Sequence, residues 1–141
     1  MYIQNFKKEE KVSGNKPAKS GREIEREWTK DQVGIICRWA VRTLGLSCRD
    51  LAQAMNVSPK TMGRWLKGNT MPRPENIRKV NTLGDLQYLC GNVFRTQETV
   101  RRWMRQRLPM LDGLTPMFYF LAGDLEKPIS VLANIESGAF I

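Results

Sequence analysis

From residue 29 onward, apolar side chains recur at spacings of three and four, and no stretch alternates with period two for long. Such spacing lines one face of a helix, so the pattern predicts an all-α protein of about eight mostly short helices. The first opens at Thr29, whose hydroxyl can accept an orphan amide while Gln32 reaches back to the cap. Val33, Ile36, Cys37, Ala40, Val41 and Leu44 follow, and Gly45 stops the run. Ser47 and Asp50 form a second box ahead of Leu51, Ala54 and Met55. After Asn56 and Val57, Ser58 restarts the chain as an N-cap, with Pro59 at the first helical position, where its missing N–H costs nothing. Met62, Trp65 and Leu66 then face inward, Gly68 and Asn69 end the helix, and Pro72 and Pro74 mark a loop.

Ile77, Val80 and Leu83 predict a helix closed by Gly84, with Asp85 capping another that carries Leu86, Leu89, Cys90 and Val93. Thr96 opens a helix with Val100, Trp103 and Met104 on one side. Thr115 and Pro116 begin an apolar turn or two ending at Gly123. Lys127 and Pro128 start a last helix, with Ile129, Leu132 and Ile135 inside and Gly138 at its end. Residues 1–27 read as an arm: Lys7 to Gly21 is rich in Lys, Glu, Ser, Gly, Asn and Pro and buries too little apolar surface to offset its ordering entropy, while Glu23 to Trp28 could extend the first helix or dock on the body. The sequence therefore divides into a flexible basic arm (1–27), a helical segment (28–94) and a second helical segment (95–141).

Charge sharpens that division. Residues 31–107 carry a net +9, whereas residues 108–141 carry a net −3. A basic middle and an acidic end predict two surfaces with different partners, the first of them a polyanion. The chain has no histidine, which excludes Ser-His-Asp triads, Cys-His pairs and His-containing zinc sites. It also lacks a Walker-type glycine loop and any cluster of metal-ligand spacing, so neither enzyme activity, nor a metal, nor a cofactor is expected. Cys37, Cys48 and Cys90 are odd in number and widely spaced, the pattern of reduced thiols in a cytoplasmic protein. The longest apolar run, Met117 to Ala122, is far below the roughly 20 residues a membrane span needs.

Ser47 to Leu66 has the spacing of a helix-turn-helix. Ala52 supplies the small residue for a close crossing, Val57 the apolar residue beside the turn, and Met62 and Trp65 the interior of the second helix. Asn56 stands where glycine is frequent, and it tolerates a left-handed backbone better than other residues. Ser58, Lys60, Thr61, Arg64 and Lys67 would then face double-stranded DNA from the recognition helix, Arg64 as a donor to a guanine edge. Ser47 and Arg49, at the start of the preceding helix, would approach a phosphate. Motifs of this kind usually act as dimers, so a homodimer is expected.

The closing segment has an ordered set of positions: Trp103, Pro109, Gly113-Leu-Thr115-Pro116, an apolar helix ending at Gly123, and a final helix ending in Gly138 and Phe140. With the helix-turn-helix before it, the segment resembles the Xre/MbcA/ParS antitoxin family. The resemblance implies a lambda-repressor-like helix-turn-helix bundle followed by a small helical toxin-binding domain. It implies an antitoxin that binds a RES-type toxin and represses its own operon. It assigns the toxin contact to Asn134, Glu136, Ser137, Gly138, Ala139, Phe140 and Ile141. Phe140 departs from the pattern, where a tyrosine is also familiar, and brings no hydroxyl to that position. A stand-alone, phage-like dimeric repressor without a toxin shares the DNA-binding half and is the alternative.

Overall fold

A computed structural model describes residues 27–138. The described residues form seven α-helices and one 3₁₀ turn, with no strand among them. In chain order the helices are α1 (Lys30–Leu44), α2 (Cys48–Met55), α3 (Pro59–Lys67), α4 (Pro74–Val93), α5 (Gln97–Met104), α6 (Pro116–Leu121) and α7 (Glu126–Ser137). The 3₁₀ turn, Pro109–Leu111, lies between α5 and α6.

The caps explain the helix starts. Thr29 accepts from Gln32 N while Gln32 accepts from Thr29 N, and Ser47 and Asp50 exchange the same pair of bonds. Ser58, Thr96 and Thr115 each accept from the amide three residues on. Gly45, Asn56, Gly68 and Gly138 end their helices in the left-handed conformation. At Asn56, φ is 57°, a region where asparagine loses little.

Three expectations require correction. Gly84 does not close a helix: α4 runs unbroken from Pro74 to Val93, so two predicted helices are one. Gly84 is buried between Leu83 and Leu86, and packing of that face outweighs the roughly 1 kcal/mol that glycine costs a helix interior. The last helix begins at Glu126 rather than Lys127, and Asp124 accepts from the Lys127 amide just ahead of it. Ile135 is not inside; it is 38% exposed.

Buried residues from Val33 to Leu132 form a single cluster, with Trp39, Leu44, Met62, Leu83, Met104 and Phe120 among its largest members. Helix α4 packs on both α1 and α7, and α2 packs on α6, so the interior runs uninterrupted past residue 94. Gly34 on α1 lies under the end of α3: a Cβ there would stand 3.2 Å from the Trp65 carbonyl oxygen and 3.3 Å from the Gly68 amide. That close approach seats α3 on α1.

Basic side chains close the carbonyl ends of three successive helices. Arg101 and Arg105 donate to the end of α1: Arg101 to Arg42 O, and Arg105 to Leu44 O at 3.2 Å and Gly45 O at 2.9 Å. Lys79 donates to Met55 O at the end of α2 at 2.8 Å, and Arg38 donates to Leu66 O near the end of α3. Cations are favoured there because the unpaired carbonyls give the helix end a partial negative charge.

Candidate nucleic-acid interface

Helices α2 and α3 pack together across the three-residue turn Asn56–Ser58. On α3, Met62 and Trp65 are buried against the body while Lys60, Arg64 and Lys67 are exposed. Arg49 is exposed near the start of α2. None of these four cations forms an ion pair or side-chain hydrogen bond among the described residues.

The hydroxyls assigned to the same surface have local duties. Ser47 is the N-cap of α2, accepting from Asp50 N at 3.0 Å. Ser58 accepts from Thr61 N at 3.0 Å, and its own hydroxyl donates to Thr61 Oγ1 at 3.0 Å. They set where α2 and α3 begin, and so where Arg49, Lys60 and Arg64 stand.

The arginine-rich stretch after Val100 divides by contact. Arg101 and Arg105 are committed to the end of α1. Arg102 pairs with Glu98 at 3.6 Å in the open, and Arg107 donates to Gly113 O at 3.3 Å. Together with Arg38 and Lys79, these contacts occupy six of the basic side chains between residues 31 and 107. The basic character that remains unpartnered is thus concentrated nearer α2, α3 and the start of α4.

A cleft of about 440 Å³ opens beside α3. Ser58, Thr61 and Arg64 line one side, and Thr70, Arg73 and Asn76, from the loop and first turn of α4, line the other. In the sequence this loop shows only as a break between Pro72 and Pro74, with Arg73 between them as its one cation.

At the other end of the chain, Asn134, Glu136 and Ser137 are exposed on the last turns of α7. Glu136 accepts from Asn92 Nδ2 at 2.6 Å, and Ser137 donates to Asn134 O at 3.0 Å. Gly138 caps the helix with φ at 82°. Ala139, Phe140 and Ile141 lie outside the described residues. Trp103 is buried, 5.6 Å from the Phe94 ring, and Phe120 is buried too, whereas Phe118 on α6 is exposed.

None of the three cysteines is in a disulfide. Burial pushes the Cys37 thiol up to about 12, against a smaller opposing pull from Arg38. Burial raises the Cys90 thiol as well. Both therefore stay protonated and inert near neutrality. Among the described residues, no helix is long and apolar enough to cross a membrane.

No protein-family model matches the chain. Among curated proteins, it is similar to the mycobacterial cidal antitoxin MbcA of Mycobacterium bovis and of Mycobacterium tuberculosis. In each case it is 22% identical over 103 residues, which is 72% of this chain and 89% of the relative. Its fold is similar to a chain in the crystal structure of the M. tuberculosis MbcT–MbcA toxin–antitoxin complex. That likeness has a TM-score of 0.58 at 18% identity and covers 77% of this chain and 97% of the other.

Proposed function

We propose that this chain is an antitoxin with two working surfaces, one for DNA and one for a protein toxin. The observation that carries the reading is the likeness of its fold to a chain of a toxin–antitoxin complex over nearly the whole of that chain, supported by sequence similarity to MbcA. In this reading residues 28–94 bind operator DNA and residues 95–141 bind a RES-type toxin, and the molecule works as a homodimer without catalysis or cofactor. Arg49, Lys60, Arg64 and Lys67 supply the cations for DNA, on a helix-turn-helix formed by α2 and α3. The acidic residues Asp112, Asp124, Glu126 and Glu136 leave the C-terminal segment suited to an electropositive toxin surface.

Two measurements test it. The gene neighbouring this one is expressed in a bacterial host with and without this chain. Growth arrest relieved by the chain, and a complex of the two products in gel filtration, are the expected results; arrest that persists removes the toxin-binding half. Binding to a duplex from upstream of the gene is then followed as a function of salt. Affinity should fall with a log–log slope of about −0.9 per phosphate neutralised. A flat response removes the DNA-binding half, while DNA binding without any toxin leaves a stand-alone repressor.

A further inference from the structure

The cleft beside α3 changes the role of Arg64. Arg64 lines it together with Ser58 and Thr61, and Arg73 lines it from the loop leading into α4. Both arginines are exposed, and neither has an ion pair or side-chain hydrogen bond among the described residues. Thr70 and Asn76 add hydroxyl and amide groups to the same wall. Glu75 is the single carboxylate in the lining, so the cleft keeps a net positive charge. A guanidinium presents donors in a fixed fork that matches phosphate oxygens two at a time. One fork alone suits a guanine edge as well as a phosphate, but two arginines lining one cleft suit a phosphodiester, whose oxygens can accept from both.

We propose that Arg64 and Arg73 together grip one phosphodiester of the DNA backbone in this cleft. Arg64 then fixes the register of α3 on the duplex, and base choice falls to Lys60 and Thr61, one turn earlier on the helix. The inference rests on the DNA-binding reading above and adds to it a residue, Arg73, and a changed role, that of Arg64. Glu75 opposes the contact, which makes it a test of sign.

Fluorescence anisotropy with the full chain decides the matter, using a labelled upstream duplex, a scrambled duplex of equal length and a set of single-base-pair variants. Arg64→Gln and Arg73→Gln should each weaken binding to all duplexes by a common factor and reduce the magnitude of the salt slope by about one. Glu75→Gln should tighten binding to every duplex, a gain that misfolding cannot produce. Arg64→Gln relaxing preference at one base pair would make Arg64 a base reader and overturn the proposal. An unchanged salt slope in Arg73→Gln, or no gain in Glu75→Gln, would also overturn it. If the unmodified chain binds no duplex at any salt concentration, the DNA reading itself fails; if it binds and only these variants misbehave, that reading stands without the clamp.

Discussion

Arg105 Nη2 donates to Gly45 O at 2.9 Å, across 60 residues of sequence. Gly45 holds φ at 74° as the cap of α1, so its carbonyl is one that no helical amide reaches. Arg105 also donates to Leu44 O, and Arg101 takes the Arg42 carbonyl. These arginines pin α5 across the end of α1 and are occupied there, not held out for a polyanion.

Arg105→Gln should therefore lower stability by about 1–2 kcal/mol, read from the urea midpoint, and leave the salt slope of the proposed DNA binding unchanged. A variant of normal stability with a reduced slope would show that Arg105 meets phosphate instead.

Two helical glycines should respond with opposite signs. Nothing lies within 4 Å of a Cβ added to Gly63, so Gly63→Ala should stabilise α3 by about 1 kcal/mol. At Gly34 the Cβ would press on the Trp65 carbonyl and the Gly68 amide, both backbone atoms with little room to yield. Gly34→Ala should be net destabilising despite the better helix propensity of alanine. Thermal melts of the two variants provide the comparison, and a rise in both would remove the close-approach account.

Met62 is fully buried beneath α3. Met62→Ala should cost about 2–5 kcal/mol through lost burial and the cavity left behind. Chemical denaturation measures it; a loss below about 1 kcal/mol would mean that the site collapses around the change.

The buried thiols give a dependence on pH with a definite sign. Cys37 ionises at about 12 when folded and at 9.0 otherwise. Above pH 9 the unfolded chain thus sheds a proton that the folded chain keeps, and stability falls as pH rises. Each such thiol contributes a slope of up to about 1.4 kcal/mol per pH unit, half of it at pH 9 and little of it below about pH 8. Urea midpoints at pH 8 and pH 10 should separate more in the unmodified chain than in Cys37→Ala/Cys90→Ala. Equal separation in both would show that other groups carry the dependence.

Local chemistry was legible in the sequence. Thr29, Ser47, Ser58, Thr96 and Thr115 all cap where their spacing predicts, and Asn56 takes the left-handed turn. What could not be read depends on neighbours distant along the chain. Gly84 looked like a stop because its helix propensity is poor, yet packing on both sides carries α4 through it. Ile135 continued an apolar period, but the period does not say how wide the covered face is, and it emerges at the edge. The contacts of Arg101 and Arg105 are not legible in the sequence either, because nothing local reveals that they reach a carbonyl end 59 or more residues away. Of the candidate site, the outward cations of α3 follow from the burial of Met62 and Trp65, while the lining of one cleft by both Arg64 and Arg73 depends on the fold of the loop.

Val33 through Leu132 share one interior, and that has a bearing on how such a molecule can change. Among the described residues, the helices before and after residue 94 share this interior, so neither set could be parted from the other without exposing it. Changes confined to exposed positions at either end should leave that frame whole, whereas a change to its interior should be felt at both.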